Sequence, residues 1–332
     1  MTVKVMINGF GRIGRLVLRA LVESERTDIE VIAINHPRGI DSAKHLYKYD
    51  SVHGIATKNI TIGENWMDVG RGKIKMLADR NPENFDLSDI DVVMECTGIY
   101  KEREQAEVFI RQGAKKVLVS APFKPADKTI VYGVNDSTLE ASDTIVSNAS
   151  CTTNCLAPVA KVLDEAFGIE RGFMTTIHAY TGDQNTLDAS HKDNRRGRAA
   201  ALSIVPTSTG AAAAVSLVLP QLKGKMDGVA MRVPTPNVSC VDLKVDLKNA
   251  TTVEEINNAM KLASEGELKG VLGFETEELV SVDFNHNPNS SIFDATQTMV
   301  MDGTSVRICT WYDNEWGFSV RMLDTAIAMM KA

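Results

Sequence analysis

One cysteine stands where an apolar strand is expected to pass into a helix. Residues 144–149 form the apolar run, and Ser150-Cys151-Thr152-Thr153-Asn154-Cys155 follows it directly. Free N–H groups and the positive dipole end at a helix start favour thiolate over thiol, and they can hold an oxyanion formed when sulfur attacks a carbonyl. Cys151 is therefore a candidate nucleophile, although a small buried cysteine in a capping turn would have the same local sequence.

A histidine partner for this thiol is expected at the end of a later strand. His178 lies near the end of the apolar segment 173–180, whereas the other histidines occupy loop-like or polar stretches. Beside Cys151, it would stabilise the thiolate and then take the proton that leaves during the reaction. A structural, hydrogen-bonded role is the alternative. No metal site is predicted, because Cys151 and Cys155 have no second Cys/His pair at zinc-finger spacing.

Two further segments have the residue types that bind anions. Pro206-Thr207-Ser208-Thr209-Gly210 precedes a predicted helix over residues 211–219, and guanidinium groups come from residues 195–198 and from Arg232. Hydroxyls, free N–H groups and arginines together suit a phosphorylated substrate. Each feature also has a simpler interpretation, since an arginine run is often a solvated or subunit-interface cluster and Thr-Gly is often a plain helix cap.

A glycine turn near the N-terminus predicts a dinucleotide site. Gly9-Phe10-Gly11-Arg12-Ile13-Gly14 follows a predicted strand over residues 3–7 and opens a predicted helix over residues 13–23. In that context the glycines let the backbone approach a pyrophosphate at the helix N-terminus. We therefore expect Gly9, Gly11 and Gly14 to contact the cofactor.

The end of the second strand predicts which dinucleotide is accepted. An NAD site of this type expects Asp or Glu there, but the chain has Asn35-His36-Pro37-Arg38. Without a carboxylate to repel a 2′-phosphate, and with His36 or Arg38 to attract it, the protein is predicted to accept NADP. In the alternative interpretation, the Asn35 amide binds the ribose and the cofactor is NAD.

The order of elements predicts an α/β protein with two domains. At 332 residues the chain exceeds the roughly 150 residues of a typical domain. Strands and helices alternate in the first half, which indicates a Rossmann-type parallel sheet, and longer strands after residue 151 indicate an α+β catalytic domain with a mainly antiparallel sheet. We place the dinucleotide-binding domain at 1–149, joined by a C-terminal helix at about 315–332, and the catalytic domain at 150–314.

Composition excludes several classes of partner and location. Lys plus Arg is 36 and Asp plus Glu is 43, for a net charge of −7, which argues against a nucleic-acid-binding surface. The five cysteines are an odd number scattered along the chain, which favours a reducing compartment. Neither a signal peptide nor an apolar run long enough for a membrane span is evident. A cytoplasmic protein with no membrane or nucleic-acid partner is expected.

Six motifs spread over the whole chain carry a resemblance to a known family. They are Asn8-Gly9-Phe10-Gly11-Arg12-Ile13-Gly14-Arg15, Lys48-Tyr49-Asp50-Ser51, Ser147-Asn148-Ala149-Ser150-Cys151-Thr152-Thr153-Asn154-Cys155, His178-Ala179-Tyr180-Thr181-Gly182-Asp183-Gln184, Pro234-Thr235-Pro236-Asn237-Val238-Ser239 and Trp311-Tyr312-Asp313-Asn314-Glu315-Trp316-Gly317. In these motifs the chain resembles the phosphorylating glyceraldehyde-3-phosphate dehydrogenases.

The resemblance implies a reversible oxidation of glyceraldehyde 3-phosphate to 1,3-bisphosphoglycerate, in glycolysis, gluconeogenesis or carbon fixation. Cys151 would attack the aldehyde, and His178 would remove the proton of the hemithioacetal while hydride passes to NAD or NADP. Inorganic phosphate would then attack the thioester on Cys151, with the oxyanion held by the Cys151 N–H and His178.

The resemblance also implies roles for individual residues. Thr181 and Arg232 would hold the substrate's own phosphate. The pocket for the attacking phosphate would be formed by Ser150, Thr152, Arg196, Thr209 and Gly210, with Arg195 or Arg198 as alternatives to Arg196. The further cofactor contacts would be Arg12 and Ile13 at the pyrophosphate, Arg80 and Ser120 along its path, and Asn314 at the nicotinamide amide.

Residues 180–204 resemble the family's S-shaped loop, which reaches a neighbouring subunit's cofactor site, so a homotetramer is implied. Two positions depart from NAD-specific members: His36 stands where they have Asp, and Ala189-Ser190 stands where many have Leu-Pro. Members that use NADP often have Ala-Ser there, and the Ser190 hydroxyl could donate to a 2′-phosphate. Both departures agree with NADP acceptance.

Two other functions compete with this interpretation. Erythrose-4-phosphate dehydrogenase is a relative that hydrolyses the thioester and typically lacks the second anion pocket, so Thr181, Thr209 and Gly210 favour the phosphate-using enzyme. A non-catalytic protein that contacts nucleic acid or a cell surface would keep the dinucleotide fold. The acidic charge and the intact catalytic positions give that second alternative little support.

Overall fold

The computed structural model describes residues 2–332, which divide into two compact units. The N-terminal unit comprises residues up to 132, 136–149 and 319–332, and the C-terminal unit comprises 133–135 and 150–318. Met1, the first residue of the predicted dinucleotide-binding domain, lies outside the described residues.

The N-terminal unit is built on a parallel sheet. Its elements are β1 (Val3–Asn8), α1 (Arg12–Glu23), β2 (Ile29–Asn35), α2 (Ile40–Lys48), β3 (Tyr49–Asp50), β4 (Gly54–Ile55), β5 (Thr61–Ile62), β6 (Trp66–Asp68), β7 (Lys73–Leu77), β8 (Val92–Glu95), α3 (Arg103–Arg111), β9 (Lys116–Val119), β10 (Lys128–Thr129) and β11 (Ile145–Ser147), with 3-10 turns at Pro82–Asn84 and Asp136–Thr138. The strand order is β10-β11-β9-β8-β1-β2-β7-β6-β5.

Pairing is parallel from β10 through β7, and only β6 and β5 at one edge pair antiparallel. Strands β8, β9 and β11 are buried at every position, as expected where both faces of a parallel sheet are covered. The predicted Rossmann-type parallel sheet is confirmed. Because parallel strands end at the same edge, the residues after β1, β2 and β7 lie side by side.

The C-terminal unit is built on a mainly antiparallel sheet, as predicted. Its elements are α4 (Cys151–Phe167), β12 (Ile169–Ala179), β13 (Val205–Ser208), α5 (Ala211–Val218), β14 (Met226–Val233), β15 (Ser239–Leu247), α6 (Val253–Glu265), β16 (Leu272–Glu275), β17 (Ser291–Asp294), β18 (Met299–Met301) and β19 (Ser305–Tyr312), with 3-10 turns at Pro220–Leu222, Ser281–Phe284 and Ala295–Gln297. Helix α7 (Trp316–Lys331) begins in this unit, and its residues from 319 onward belong to the N-terminal unit. The strand order is β13-β14-β12-β15-β19-β17-β16, and β18 pairs with β19.

One exception to antiparallel pairing in this sheet positions the candidate site. Strands β12 and β14 run parallel, and their register sets His178 opposite Arg232. Strand β12 pairs antiparallel with β15 on its other side. Strand β12 therefore presents its histidine beside an arginine. Within residues 2–332, no helix is both long and apolar enough to cross a lipid bilayer.

Candidate active site

The thiol of Cys151 lies at the first turn of α4. Ser150 is the N-cap residue, and its hydroxyl accepts a hydrogen bond from the Thr153 N–H at 3.0 Å. This cap fixes where the helix starts, so Cys151 lies among the N–H groups that have no partner within the helix. The chain passes here from strand β11 into helix α4, as the sequence predicted.

Cys155 lies one turn further along α4 in a different environment. It is fully buried, with its sulfur 3.8 Å from both the Ser291 hydroxyl and the Thr310 carbonyl oxygen. Burial raises the pKa of this thiol far above its usual range. Cys155 is therefore a packed thiol rather than a second nucleophile.

His178 lies beside the Cys151 thiol. The Cys151 Sγ is 3.5 Å from the His178 Nε2, and the ring is only 3% exposed. The ring of Tyr312 packs edge-on against the imidazole, with 5.8 Å between the ring centres. The structure thus brings together the two residues that the sequence nominated separately, at a distance over which a proton can be exchanged.

Burial opposes a lone charge on either group of this pair. It raises the pKa of Cys151, against the opposing effects of the Arg232 charge and of hydrogen bonds from Thr152. Burial, together with the Arg232 charge, lowers the pKa of His178 to about 3. From the sequence, the helix start was expected to favour the thiolate of Cys151. Burial acts in the opposite direction, because it disfavours the charged form. A thiolate–imidazolium pair carries no net charge, so proton transfer from Cys151 to His178 leaves no lone charge in the buried site.

Arg232 contacts the other nitrogen of the same imidazole. Its Nη1 is 2.7 Å from the His178 Nδ1 and 3.1 Å from the Ala179 carbonyl oxygen. The Arg232 Nε is buried, and no atom of residues 2–332 accepts a hydrogen bond from it. The guanidinium is therefore next to the catalytic pair and incompletely satisfied, as expected of a group that binds an anion.

The starts of α4 and α5 converge on a second anion-binding region. The Thr153 hydroxyl donates to the Ala211 carbonyl oxygen at 3.4 Å, which links the two helix starts. The Thr209 hydroxyl accepts from the Ala211 N–H at 3.1 Å, so it caps α5 as the simpler interpretation held. Arg196 reaches the same region, with its Nη2 3.5 Å from the Ser208 carbonyl oxygen. The predicted pocket residues brought together here are Ser150, Arg196, Thr209 and Gly210.

Among the three neighbouring arginines, Arg196 is the one directed at this region. Arg198 instead pairs with Asp188 at 3.0 Å, and its side chain is 65% exposed. Arg196 is 18% exposed and pairs with Asp183 and, at 3.4 Å, with Asp193. An incoming phosphate must therefore compete with the Asp183 carboxylate for Arg196. No side-chain contact directs Arg195 to this region.

The Thr152 hydroxyl corrects one sequence-based assignment. It lies 2.8 Å from the Tyr312 hydroxyl, which is also 2.8 Å from the Thr176 hydroxyl, and Thr152 is only 4% exposed. The position after Cys151 is rotated by about 100° around the helix, which turns this side chain into the core. Only the Thr152 backbone N–H is then directed at an anion over the helix start.

Thr181 and Asn314 were both assigned roles from the sequence. Thr181 is partly exposed just beyond β12, and its carbonyl oxygen accepts from the Gln184 N–H at 3.0 Å. The Asn314 Oδ1 accepts from the Ser239 hydroxyl at 2.9 Å, and that hydroxyl accepts in turn from the Ala179 N–H. Ser239 therefore orients the Asn314 amide so that its nitrogen is the end left to donate. Ser239 lies in the motif Pro234-Thr235-Pro236-Asn237-Val238-Ser239, where local sequence gives no sign of this role.

In the N-terminal unit, the glycine turn joins β1 to α1 with little space on one side. A Cβ on Gly14 would lie 2.2 Å from the Gly9 carbonyl oxygen, and Gly9 itself has a φ of +94°. A Cβ on Gly11 would meet nothing within 4 Å. Gly14 is thus required by packing, whereas Gly11 leaves open the space that a pyrophosphate would fill, and the turn fits a dinucleotide.

Alanine substitutions should separate these two requirements. Gly14→Ala is expected to destabilise the protein by about 1–3 kcal/mol, because the methyl group overlaps backbone. Gly11→Ala should leave the melting temperature unchanged but weaken NAD and NADP binding by about 10-fold or more, because its methyl group occupies the pyrophosphate position. Thermal unfolding and titration calorimetry measure the two effects. Wild-type cofactor affinity in Gly11→Ala would show that no pyrophosphate approaches this turn.

Arg12, the first residue of α1, is predicted to contact the pyrophosphate, and its side chain is held by a carboxylate. Its Nη1 lies 2.6 Å from the Asp50 Oδ2. Burial alone would raise the pKa of Asp50, but N–H groups of His53 and Val52 and the Arg12 charge lower it to about 2. Asp50 therefore stays charged and positions Arg12. Asp50 lies in the motif Lys48-Tyr49-Asp50-Ser51, where local sequence gives no sign of this role. Ile13 follows Arg12 in α1 and is partly exposed.

The Asn35 amide, predicted to contact the cofactor, hydrogen-bonds to neighbouring strand ends. Its Nδ2 donates to the Asn8 Oδ1 and to the Asp79 carbonyl oxygen, both at 2.9 Å, and its Oδ1 accepts from the Asp79 N–H at 3.2 Å. Only 6% of Asn35 is exposed. Both ends of the amide therefore have partners, and these hydrogen bonds join the ends of neighbouring strands. The ribose contact predicted for Asn35 would have to use the second lone pair of its Oδ1.

The remaining residues predicted to select the cofactor differ in charge and exposure. Burial, with the charges of Arg15 and Arg38, lowers the pKa of His36, so its ring is neutral at pH 7. Arg38 and Arg80 are exposed, Ser120 is partly buried, and Ser190 is exposed in the C-terminal unit. The permanent positive charge near the end of β2 is thus carried by Arg38, while His36 can offer one ring N–H.

Comparison with known proteins identifies similar sequences over the full chain. The family profile described as "Glyceraldehyde 3-phosphate dehydrogenase, NAD binding domain" matches residues 3–103, and that described as "Glyceraldehyde 3-phosphate dehydrogenase, C-terminal domain" matches residues 150–314. The glyceraldehyde-3-phosphate dehydrogenase of Cereibacter sphaeroides is 63% identical over 99% of both chains. Those of Xanthobacter flavus and Geobacillus stearothermophilus are 60% and 54% identical, over at least 98% of each chain.

Proposed function

This chain belongs to the glyceraldehyde-3-phosphate dehydrogenase family, and we propose that Cys151 and His178 carry out its phosphorylating oxidation of glyceraldehyde 3-phosphate. The observation that carries this assignment is the 3.5 Å contact between the Cys151 Sγ and the His178 Nε2 at the start of α4. A bound NAD or NADP supplies the hydride acceptor.

The steps use the groups already described. The Cys151 sulfur attacks the aldehyde carbon, and the N–H groups at the start of α4 stabilise the charge that develops on oxygen. His178 takes the hydroxyl proton of the resulting hemithioacetal as the carbon loses hydride, which leaves a thioester on Cys151. Phosphate then attacks the thioester carbon, the C–S bond breaks, and 1,3-bisphosphoglycerate is released from the regenerated thiolate.

Two anion sites would orient the substrates for these steps. Arg232 and Thr181 would bind the phosphate of glyceraldehyde 3-phosphate. Attacking phosphate would lie at the paired starts of α4 and α5, held by Ser150, the Thr152 N–H, Arg196, Thr209 and Gly210. The Asp183 carboxylate on Arg196 would be displaced or shared when that phosphate binds.

In the N-terminal unit, the cofactor would be held at the glycine turn. Gly9, Gly11, Arg12 and Ile13 would surround the pyrophosphate, with Arg80 and Ser120 further along the dinucleotide. The Asn314 nitrogen would donate to the nicotinamide amide, since Ser239 already occupies the Asn314 oxygen.

The requirement for inorganic phosphate tests the proposed reaction. Formation of reduced cofactor from glyceraldehyde 3-phosphate should stop after one turnover per site when phosphate is withheld, and should resume when it is added. Continuous turnover without phosphate would instead indicate hydrolysis of the thioester, the reaction of erythrose-4-phosphate dehydrogenase. The two converging helix starts favour the phosphate-using reaction.

NADP acceptance remains our proposal for the cofactor, supported by the charge of Arg38 and by the ring N–H that His36 can offer. The double variant His36→Asp with Ser190→Pro restores the residues of NAD-specific members. In it, kcat/KM for NAD divided by kcat/KM for NADP should increase by about 10–100-fold. That is the range expected for losing one or two charge-assisted hydrogen bonds to a phosphate and gaining a repulsive carboxylate. Steady-state kinetics with both cofactors measure the ratio. A wild-type enzyme that strongly prefers NAD, or a double variant with unchanged selectivity, would contradict the proposal.

We also propose a homotetramer, because residues 180–204 resemble the loop that reaches a neighbouring subunit. Three large apolar side chains of that segment, those of Leu187, Leu202 and Ile204, are 73%, 79% and 68% exposed. Apolar side chains at such exposure support burial against another copy of the chain. A cytoplasmic location stays a prediction from the cysteine content.

A further inference from the structure

The arginine directed at the pocket proposed for the attacking phosphate already has carboxylates bound to it. The Arg196 Nη1 pairs with the Asp183 carboxylate, and the Arg196 Nε lies 3.4 Å from the Asp193 Oδ2. Only the Nη2 is turned toward Ser208, whose carbonyl oxygen is 3.5 Å away, beyond the usual length of a hydrogen bond. Arg196 therefore offers an incoming phosphate one loosely held nitrogen rather than a fork of two.

The two carboxylates on Arg196 differ in how firmly the fold holds them. The Asp193 Oδ1 accepts hydrogen bonds from the N–H groups of Arg195 and Arg196, at 2.9 and 3.4 Å, so this carboxylate is part of the turn that carries Arg196. Asp183 lies 13 residues earlier in the chain, and its side chain is 47% exposed. A carboxylate at that exposure can leave the guanidinium at low cost, because water solvates it. Asp183 is therefore the exchangeable partner.

A second donor lies within reach of the Asp183 carboxylate. The His191 Nε2 is 3.9 Å from the Asp183 Oδ1, and the His191 side chain is 15% exposed. At this distance, a small rotation of the Asp183 side chain brings an oxygen to hydrogen-bond distance from an imidazole N–H. A displaced Asp183 carboxylate thus has an alternative partner close to its present position.

The charge of Asp183 also acts on the other arginine assigned to anion binding. Burial lowers the pKa of Arg232, and the charge of Asp183 is among the effects that oppose this shift. Of these two arginines, only Arg196 forms an ion pair with Asp183 within residues 2–332. Loss of the Asp183 charge should therefore affect anion binding at Arg196 more than at Arg232.

We propose that Asp183 occupies the Arg196 fork in place of phosphate, and that inorganic phosphate binds by exchange, which moves this carboxylate toward His191. Phosphate then takes both terminal nitrogens of Arg196 in a bidentate contact. Because each phosphate that binds must break the ion pair, Asp183 lowers the affinity for phosphate. Asp183 acts through Arg196 and is a positioning residue. This inference rests on the proposed function, in which Arg196 binds the attacking phosphate.

Asp183→Asn tests the exchange. The KM for inorganic phosphate should fall about 3–10-fold, because a neutral amide competes less well for the guanidinium than a carboxylate does. The KM for glyceraldehyde 3-phosphate should fall less than about 2-fold. At saturating phosphate Arg196 is free of Asp183 in both proteins, so kcat should change less than about 2-fold. Steady-state kinetics with each substrate varied in turn measure all three constants.

Asp188→Asn is the matched control. Asp188 lies five residues further along the same segment and pairs with Arg198 at 3.0 Å, and its side chain is 60% exposed. This variant removes the same charge, and its KM for phosphate should equal that of the wild type. The inference would be overturned by an unchanged or higher KM for phosphate in Asp183→Asn. It would also be overturned by an equal fall in Asp188→Asn, or by an equal fall in the KM for glyceraldehyde 3-phosphate.

His191→Leu tests where the displaced carboxylate goes. Without its alternative partner, Asp183 stays longer on Arg196, so the KM for phosphate should rise about 2–3-fold, the opposite direction to Asp183→Asn. In the double variant Asp183→Asn with His191→Leu, this KM should equal that of Asp183→Asn alone, because His191 acts only through Asp183. Additive effects of the two substitutions would overturn the movement toward His191.

Calorimetric titration with inorganic phosphate measures the affinity without turnover. Saturating sn-glycerol 3-phosphate would fill the Arg232 site of the cofactor-bound enzyme, and the Kd for phosphate should then be about 3–10-fold lower in Asp183→Asn than in the wild type. Equal Kd values would overturn the exchange. Oxidation of glyceraldehyde 3-phosphate by the wild type with no need for phosphate would instead count against the proposed function, so the two failures are distinguishable.

Discussion

Cys151→Ser should lower kcat for glyceraldehyde 3-phosphate oxidation by about 10⁴-fold or more, as expected when the nucleophile of a cooperating group is removed. A serine hydroxyl ionises far less readily than a thiol, and a His178 buried beside Arg232 is a weak base for it. The measurement is steady-state kinetics together with intact mass. Without phosphate, the wild type should carry an acyl group on Cys151, and the variant should carry none.

Cys155→Ser is the matched control for that result. This cysteine lies on the same helix, and its contacts with Ser291 and Thr310 can be kept by a hydroxyl. Its replacement should cost about 1–2 kcal/mol of stability and leave the acylation at Cys151 intact. A Cys151→Ser protein that retains substantial turnover, or a Cys155→Ser protein that loses as much, would refute the assignment of the nucleophile.

His178→Asn should lower kcat by about 10²–10⁴-fold, the usual contribution of a positioned general base. The asparagine amide can still hydrogen-bond but cannot accept the hemithioacetal proton. Hydride loss then waits for solvent hydroxide, so the rate of the variant should rise from neutral to alkaline pH. A primary deuterium isotope effect on kcat, with substrate deuterated at the aldehyde carbon, should become visible because hydride loss is now the slowest step.

His45→Asn controls for the loss of a histidine as such. His45 is exposed on α2 and its ring contacts Tyr49, in the other unit of the chain. Kinetic constants of this variant should equal those of the wild type. If His178→Asn showed neither the pH dependence nor the isotope effect, His178 would be a positioning residue rather than the base.

Local sequence patterns predicted most of the longer elements of the fold, although not helices α2 and α6, and missed the short strands. Strand β1 and helix α1 lie within one residue of the predicted bounds, because glycine punctuation and apolar periodicity are strong there. No strand was predicted between residues 49 and 77, where β3 to β7 are two to five residues long and largely exposed or partly buried. Such strands acquire their conformation from pairing with neighbours, which local sequence does not encode.

Some features of the candidate site could likewise be predicted from local sequence, and others could not. Cys151 and His178 could be nominated from residue type and position, since a thiol at a helix start and a histidine at the end of a strand are local features. The contact of Arg232 with the second nitrogen of His178 could not, because it depends on the parallel register of β12 and β14. The sequence therefore identified the reacting groups and Arg232, but not the contact between Arg232 and His178.

By itself, the sequence determined the family, the two-domain fold class and the thiol chemistry, because each depends on residue types at short spacings. Only the tertiary structure decided which side chains are available to ligands. Asp79 engages the Asn35 amide, Tyr312 engages the Thr152 hydroxyl, and Asp183 engages Arg196. Each competing partner comes from a different part of the chain, and a hydrogen bond made inside the fold removes a group from a site that its sequence position favours.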